Sequence, residues 1–239
     1  MTYIALDSST QVCSAALLQD GQVVAERLNA SGSNHAALLP TYVSELQAEA
    51  ARRGLTVDGI VLSEGPGSYT GLRIAASLAK GLCYGSDIPL LAVPTLAVIA
   101  YAAASRLSTF NFQLSTLFCP MIDARRMEVY CALYDHDLNI VQALQPMVID
   151  ADSFRHELDQ QPICFCGDGA AKCRALITHP AAQWADNIVP TAAAAGRLAF
   201  AYAGRTDLVR RIEGKDIAYF EPNYLKQFIA APSHVKGLH

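Results

Sequence analysis

The strongest constraint on the fold is an apolar segment ending in aspartate that occurs twice along the chain. Residues 4–17 align without gaps on residues 120–133, so that Asp7 meets Asp123. Most apolar positions coincide in the two segments, although few residues are identical. The repeat predicts two related lobes, each opening with a strand that ends at an aspartate.

The apolar pattern of the first half predicts three strands followed by alternating helices and strands. The Asp20-Gly21 pair favours a hairpin turn between the second and third strands. Apolar residues then recur at helical spacing from His35, with Ser33 or Asn34 as the expected N-cap. The predicted elements are strands at 3–7, 12–18 and 22–28, a helix at about 35–51, a strand at 58–63, a helix at about 70–84, a strand at 89–93 and an alanine-rich helix to about 105. This order is typical of a ribonuclease-H-like lobe.

The second half repeats the opening of the first after a polar, aperiodic segment at 106–115. We expect an N-terminal ribonuclease-H-like lobe over residues 1–106 and a C-terminal one over residues 107–239, with the last helix and tail packing back on the first lobe. The elements expected in the second half after its first strand are a strand pair to about 149, a strand at 163–166, a Gly-Asp-Gly turn at 167–169 and a helix at about 191–204. An α/β chain with two such lobes has the architecture of the actin-like ATPase, sugar kinase and heat-shock chaperone superfamily.

The composition excludes several classes of protein. Hydrophobic residues make up 52% of the chain and charged residues 17%, so a large core can form. The formal charge of −4 argues against a chain that grips RNA unaided. No apolar run reaches the roughly 20 residues that cross a bilayer, and the N-terminus lacks a basic signal region, so we expect a cytoplasmic protein without membrane contact. The seven cysteines are then interpreted as reduced core residues.

An aspartate at the end of the first strand of each lobe is how actin-like ATPases and sugar kinases hold Mg-ATP. Those families place a glycine two residues later, where the backbone approaches phosphate closely. Ser9 and Arg125 occupy these positions here and would crowd that approach. The pattern predicts a vestigial nucleotide or phosphate site rather than a working one, although an ATP-dependent kinase or ATPase of the same fold remains the alternative. The residues of this vestige are Asp7, Ser9, Gly65, Gly67, Ser68, Thr70, Gly71 and Asp123.

The glycine-rich segment from Gly65 to Arg73 lies between a predicted strand and a predicted helix. Backbone amides in such a segment can bind an anion. No Lys-Ser or Lys-Thr pair follows the glycines, so the segment is not a Walker A loop. The alternative is a tight structural turn, in which Thr70 caps the helix and Gly71 allows close packing. Local physical arguments favour the structural interpretation.

The sequence contains no recognisable catalytic or metal-binding constellation. The six histidines are scattered, without the close-spaced pairs of a metal site, and no serine-hydrolase elbow is present. We therefore predict neither catalytic residues nor a metal site. The charged residues Asp123, Arg125, Arg126 and Glu128 lie close together and are interpreted as solvated ion pairs.

The helix predicted at about 70–84 is unusually apolar for a surface helix. Its polar residues form only a narrow stripe of Arg73, Ser77, Lys80 and Tyr84. A helix with so narrow a polar face usually buries a second side. Small residues such as Ala75, Ala76 and Ala79 would let another helix approach closely. The alternative is that this helix and the one beginning near His35 simply lie deep in their own lobe.

Five segments taken together resemble the TsaB family, the non-catalytic subunits of the bacterial machinery that makes threonylcarbamoyladenosine in tRNA. The segments are Asp7 to Ser9, His35 with Leu38 to Pro40, Gly65 to Arg73, Ile122 to Tyr130, and Pro222 to Lys226. They extend over nearly the whole chain. Two departures are mild: Lys226 stands where arginine is usual, and Ser8-Ser9 replaces a commoner Thr-Ala or Thr-Ser.

The resemblance implies a pseudoenzyme that binds and activates a TsaD-type catalytic subunit. That subunit performs N6-threonylcarbamoylation of the adenosine following the anticodon, in tRNAs that read codons beginning with A. It holds iron or zinc through a His-x-x-x-His pair, and Thr95 and Ile99 fall at the equivalent positions here. Neither residue can ligate such a metal usefully. An old resemblance of the family to a metallopeptidase has no ligand set in this sequence to support it.

The resemblance also implies which surface docks the partner. In the family the two helices at about 35–51 and 70–84 bind the catalytic subunit, and the same surface forms a homodimer when that subunit is absent. A TsaE-type ATPase joins the assembled pair, so ATP and metal are expected on the partners and tRNA contact only through the complex. The expected interface residues are His35, Leu38, Leu39, Tyr42, Leu46, Arg73, Ser77, Leu78, Lys80, Leu82 and Tyr84.

Overall fold

The computed structural model describes residues 1–32, 34–107 and 115–225, which form two β-sheets with helices on their faces. The strands are β1 (Thr2–Asp7), β2 (Cys13–Gln19), β3 (Gln22–Asn29), β4 (Gly59–Ser63), β5 (Leu90–Val93), β6 (Leu117–Asp123), β7 (Glu128–Tyr134), β8 (Ile140–Val148), β9 (Ile163–Cys166), β10 (Ala182–Ala185) and β11 (Arg210–Ile212). The helices are α1 (His35–Arg52), α2 (Tyr69–Ser86), α3 (Thr95–Leu107), α4 (Arg155–Leu158), α5 (Ala170–Cys173), α6 (Ala192–Ala201) and α7 (Asp216–Tyr219).

The first sheet has the strand order β11-β5-β4-β1-β2-β3. Its central strand β1 pairs antiparallel with β2 and parallel with β4, and β5 continues the parallel arrangement. All six residues of β1 are buried, and their side chains alternate between the two faces of the sheet. Ile4 and Leu6 face one layer of helices, whereas Tyr3 and Ala5 face the other. This arrangement is that of a ribonuclease-H-like lobe.

The second sheet repeats the first, with the strand order β10-β9-β6-β7-β8. Here β6 takes the place of β1, since it pairs antiparallel with β7 and parallel with β9. Asp123 ends β6 as Asp7 ends β1. The predicted fold of two ribonuclease-H-like lobes is therefore confirmed.

The helices and sheets alternate in layers. Helices α1 and α2 cover the outer face of the first sheet. Helix α6 packs on the inner face of that sheet, and α3 packs on the second sheet and on α6. A Cβ at Gly196 would overlap the side chain of Leu18, so α6 can approach β2 closely because glycine stands at this position. The short helices α4 and α5 lie on the outer face of the second sheet.

The chain returns to the first sheet after completing the second. β11 pairs antiparallel with β5, and α7 packs against α2. Arg210 of β11 forms an ion pair with Glu64 at 2.5 Å. The predicted division at residue 106 stays a prediction. The C-terminal tail from residue 226 lies outside the described residues, as does Ser33, one of the two expected caps of α1.

All seven cysteines are buried and unpaired, as predicted for core residues. Burial raises the pKa of the Cys83 thiol to about 12 and that of the Cys13 thiol to about 11. None of the helices in the described ranges is long and apolar enough to cross a membrane.

Candidate functional site

Asp7, the first residue of the predicted vestige, is completely buried at the end of β1. Its Oδ1 atom accepts hydrogen bonds from the backbone amide and the hydroxyl group of Ser9, both at 3.0 Å. Among the described residues, neither its Oδ2 atom nor the buried Ser63 hydroxyl group has a hydrogen-bond partner. The carboxyl group is therefore bound by its own loop and shielded from solvent.

Burial raises the pKa of the Asp7 carboxyl group above the ordinary aspartate value. The Ser63 hydroxyl group and the two Ser9 donors act against this shift, although the Ser63 oxygen does not reach hydrogen-bonding geometry. A magnesium-bound nucleotide needs an ionised carboxylate that the metal or its water can reach. Asp7 in this structure does not offer that exposure, and its burial works against the ionised form.

Asp7→Asn is expected to raise the free energy of unfolding at pH 7 by about 1–2 kcal/mol, since it removes the buried carboxyl group and supplies an N–H donor beside Ser63. The native pKa of Asp7 is raised, so its contribution to stability is complete below the ordinary value of 3.8 and falls as the pH rises toward the native pKa. The gain should therefore be small at acid pH and grow toward neutrality. Denaturant unfolding between pH 4 and pH 8 measures it.

Asp123→Asn provides a control of opposite sign. Burial acts to raise the pKa of Asp123, but the Lys172 ammonium group and the Arg125 amide outweigh burial and lower it. The stabilisation by Asp123 is therefore present above the ordinary pKa and is lost as the pH falls. Asp123→Asn should lose a little stability at pH 7, because Asp123 is half exposed. An equal loss for Asp7→Asn would contradict the interpretation of Asp7.

The glycines of the predicted loop pack directly against the segment that follows Asp7. A Cβ at Gly71 would overlap the carbonyl oxygen of Ser8, and one at Gly67 would overlap that of Ser9. The Ser68 amide donates a hydrogen bond to the same Ser9 oxygen at 2.7 Å. Carbonyl oxygens of the chain thus fill the space beside the α-carbons of these glycines. This geometry favours the structural interpretation of the loop.

The cap of α2 differs from the sequence prediction. Ser68 occupies the N-cap, and its Oγ atom accepts a hydrogen bond from the Gly71 amide at 3.3 Å. The prediction that Thr70 is the cap is wrong, because the helix begins earlier, at Tyr69, and Thr70 lies exposed in its first turn.

The second lobe repeats this close packing around Asp123. A Cβ at Gly167 would overlap the carbonyl oxygen of Met121, and the Asp123 amide donates to Asp168 at 3.2 Å. The Asp123 carboxylate is bound by the Lys172 ammonium group and accepts a hydrogen bond from the Arg125 amide at 2.8 Å. Internal donors therefore already bind this aspartate as well.

The two positions at which the resemblance places metal-binding histidines are buried. Thr95 is a structural residue, because its Oγ1 atom accepts a hydrogen bond from the Gly65 amide at 3.0 Å and its own amide donates to the Gly65 oxygen at 2.9 Å. Ile99 belongs to the core between the sheets. Within the described ranges, no group of three or more histidine, cysteine or acidic side chains is arranged to hold a metal ion.

The predicted interface residues divide by exposure. Leu39 and Leu46 of α1 are completely buried, so assigning them to a partner surface is wrong for this conformation. The periodicity placed them on the apolar stripe of the helix, but this part of the stripe faces the first sheet. The half-buried residues are His35, Leu38, Tyr42, Leu78, Lys80 and Leu82, and the exposed ones are Arg73, Ser77 and Tyr84.

The exposed side of α2 is narrow and built largely from small residues. Between its first turn and its last residue, the exposed residues are Arg73, Ser77, Gly81, Tyr84 and Gly85, which we call the α2 face. Ser77, Gly81 and Gly85 follow one another at intervals of four, and a Cβ at either glycine would meet no atom within 4 Å. The Tyr84 side chain is 76% exposed. A second helix could therefore approach the α2 backbone closely along this line.

The small residues that the sequence pattern indicated for this surface are not the exposed ones. Ala75, Ala76 and Ala79 were expected to admit a partner helix, but all three are buried against the first sheet. The exposed small residues are Ser77, Gly81 and Gly85, and the signal for them was their interval of four on the same side as the polar stripe.

The C-terminal segment reaches the beginning of α2. The backbone amide of Asn223 donates a hydrogen bond to the backbone oxygen of Glu64 at 2.7 Å. The ring centres of Tyr224 and Tyr69 lie 5.0 Å apart. Lys80 of α2 donates to the Phe220 oxygen at 3.0 Å. The segment that begins at Pro222 thus supports the glycine loop, while Lys226 lies outside the described residues.

Comparison with known proteins identifies the family. A model of the TsaD family, described as tRNA N6-adenosine threonylcarbamoyltransferase, matches residues 23–231. A relative from Bacillus subtilis (strain 168), named tRNA threonylcarbamoyladenosine biosynthesis protein TsaB, is 32% identical over 181 residues, which are 74% of this chain and 75% of the relative. The chain belongs to the TsaB family. The TsaB protein of Haemophilus influenzae is 35% identical over 130 residues, or 54% of this chain and 52% of that protein.

A solved TsaB-family structure agrees with the fold. The protein described as YeaZ from Pseudomonas aeruginosa superposes with a TM-score of 0.75 at 27% identity, covering 94% of this chain and 99% of that one. The family resemblance predicted from the five segments is therefore confirmed.

Proposed function

We propose that this chain is a non-catalytic scaffold and activator in the synthesis of threonylcarbamoyladenosine in tRNA, and that it binds a TsaD-type catalytic subunit. The α2 face is the observation that carries the proposal. It is an exposed strip on a helix whose other sides are packed, and it combines the small residues Ser77, Gly81 and Gly85 with Arg73 and Tyr84. Arginine and tyrosine are enriched among residues that anchor protein interfaces.

Three features support a non-catalytic role. Asp7 is buried and bound by Ser9. The space beside Gly67 and Gly71 is filled by the chain's own carbonyl groups. Ile99, where the catalytic relatives are expected to have a histidine, packs in the core. In this proposal ATP and metal belong to the partner subunits, and a TsaE-type ATPase joins the assembled pair.

The same face would be covered in a homodimer when the catalytic subunit is absent. Helix α1 lies beside α2 on the outer face of the first sheet and adds exposed small residues, among them Ala36, Ala37 and Ala48. An isolated chain that exposes this strip can use it for a second copy, and the catalytic subunit would compete for it. In either assembly the chain binds its partner through the outer helices α1 and α2, rather than through Asp7 and Asp123.

A mixing experiment tests the proposal. The purified chain and a TsaD-type subunit should elute together in gel filtration with a single defined mass, and tRNA modification by the catalytic subunit should depend on the chain. The isolated chain should bind no Mg-ATP at micromolar concentration. ATP turnover that Asp7→Ala abolishes would instead establish the alternative, an ATP-dependent kinase or ATPase of the same fold.

A further inference from the structure

The hairpin that joins β6 to β7 has an unusual backbone. Its residues Arg125 and Arg126 have φ values of 74° and 51°, so both occupy the left-handed region. Residues with side chains rarely adopt this region, and two in succession are costly. Backbone strain of this kind persists only where the surroundings fix it, and it is found most often at functional sites.

Asp123 and Lys172 hold the backbone of this hairpin in place. The Asp123 carboxylate accepts a hydrogen bond from the Arg125 amide at 2.8 Å. The Lys172 ammonium group binds the same carboxylate and donates to the backbone oxygens of Arg126 and Glu128, both at 2.7 Å. Lys172 thus uses its three donors on the hairpin and its anchoring aspartate. The hairpin is a rigid platform, and the charge of Asp123 is already matched by Lys172.

The two arginine side chains on this platform are exposed and unmatched. In the described part of the chain, neither guanidinium group takes part in an ion pair or a hydrogen bond, although the charge of Arg125 lowers the pKa of Asp123 together with Lys172. Several other exposed arginines do have acidic partners. Arg155 pairs with Asp152 at 3.0 Å and Arg211 with Glu213 at 2.6 Å. A protein of net charge −4 therefore holds two adjacent free cations on a fixed turn.

We propose that Arg125 and Arg126 bind the phosphodiester backbone of the tRNA substrate, so that this chain contributes directly to RNA binding in the complex. The inference rests on the proposed function for the identity of the RNA. Guanidinium groups match phosphate oxygens in geometry as well as charge, and a fixed backbone reduces the ordering that binding requires. Two contacts supplement a larger RNA surface on the catalytic subunit, which agrees with the acidic charge of this chain.

The test measures how tRNA binding depends on salt. Labelled tRNA is titrated with the assembled pair, and separately with the full chain alone, at several salt concentrations. For whichever species binds, Arg125→Gln/Arg126→Gln should lower the slope of log affinity against log salt by about 2, or about 1 for each phosphate contact. Arg155→Gln/Arg211→Gln removes the same charge from paired arginines and should leave the slope nearly unchanged.

The outcomes separate this inference from the proposed function. If the wild-type pair does not assemble, the proposed function is wrong, while the titration of the chain alone still decides the inference. An unchanged slope in the Arg125/Arg126 variant, an equal change in the control, or no tRNA binding by either species would overturn it. Weaker assembly with an unchanged slope would overturn it as well and would indicate an acidic protein surface as the ligand.

Discussion

Replacing Gly71 with alanine is expected to lower the free energy of unfolding by at least about 3 kcal/mol, a loss of about 6–12 °C in melting temperature. The added methyl group would overlap the backbone oxygen of Ser8, which cannot turn away as a side chain can. The Ser8 hydroxyl group also donates to the Gly71 oxygen at 2.8 Å, so the two segments are held together from both directions. Thermal and denaturant unfolding of the isolated chain measure the change.

Gly81→Ala, ten residues further along the same helix, is the matched control. A Cβ at Gly81 meets no atom within 4 Å, and alanine favours the helix over glycine. This variant should gain about 0.5–1 kcal/mol of stability. If Gly71→Ala proved as stable as Gly81→Ala, the close contact between the glycine loop and the segment after Asp7 would be wrong, and space for an anion there would have to be reconsidered.

Ser77→Arg is expected to weaken binding to the TsaD-type subunit by at least about 100-fold, or about 3 kcal/mol. Ser77 lies at the centre of the α2 face, where an arginine side chain would hold a partner helix away from the backbone. The chain itself should fold normally, because Ser77 is exposed and arginine is a good helix former. Calorimetric titration of one subunit into the other measures the affinity, and thermal unfolding checks the fold.

Thr178→Arg introduces the same side chain at an exposed position of the second lobe and should leave the affinity unchanged. A substitution at Ser77 is a more specific test than one at Leu78 or Leu82. Those leucines are half-buried against the core between the first sheet and its outer helices, so a charge there would disturb folding as well. Normal assembly of the Ser77→Arg chain would show that the partner docks elsewhere.

The sequence predicted the order of the long elements because each carries its own local pattern. The helix expected at about 35–51 matches α1, and the helix expected at about 70–84 lies within α2. The short elements β10, β11 and α7 carry three or four residues each, too few for a period to appear. That β11 joins the first sheet rather than the second depends on contacts between distant residues, such as Arg210 with Glu64, which no local pattern records.

The structure corrects the candidate docking surface at particular residues. The narrow polar stripe predicted α2 as a docking helix, and that role stays a proposal. Periodicity alone could not tell which apolar residues of α1 face the sheet, so Leu39 and Leu46 were misplaced. The exposed glycines Gly81 and Gly85 were missed, because glycine carries no hydropathy signal. The strained arginine hairpin was interpreted as solvated ion pairs, because backbone angles cannot be read from residue types.

The return of the chain to the first sheet has a consequence for how the protein is made. The inner face of that sheet is covered by α6, whose residues 192–201 lie far along the chain from β1 and β2. During translation the first hundred residues leave the ribosome with that apolar face exposed. The face is covered only after α6 has been synthesised, which requires most of the remaining chain. Nascent chains in this condition are prone to aggregate and are typical clients of chaperones. Premature termination before residue 192 should accordingly yield an insoluble fragment rather than a working half.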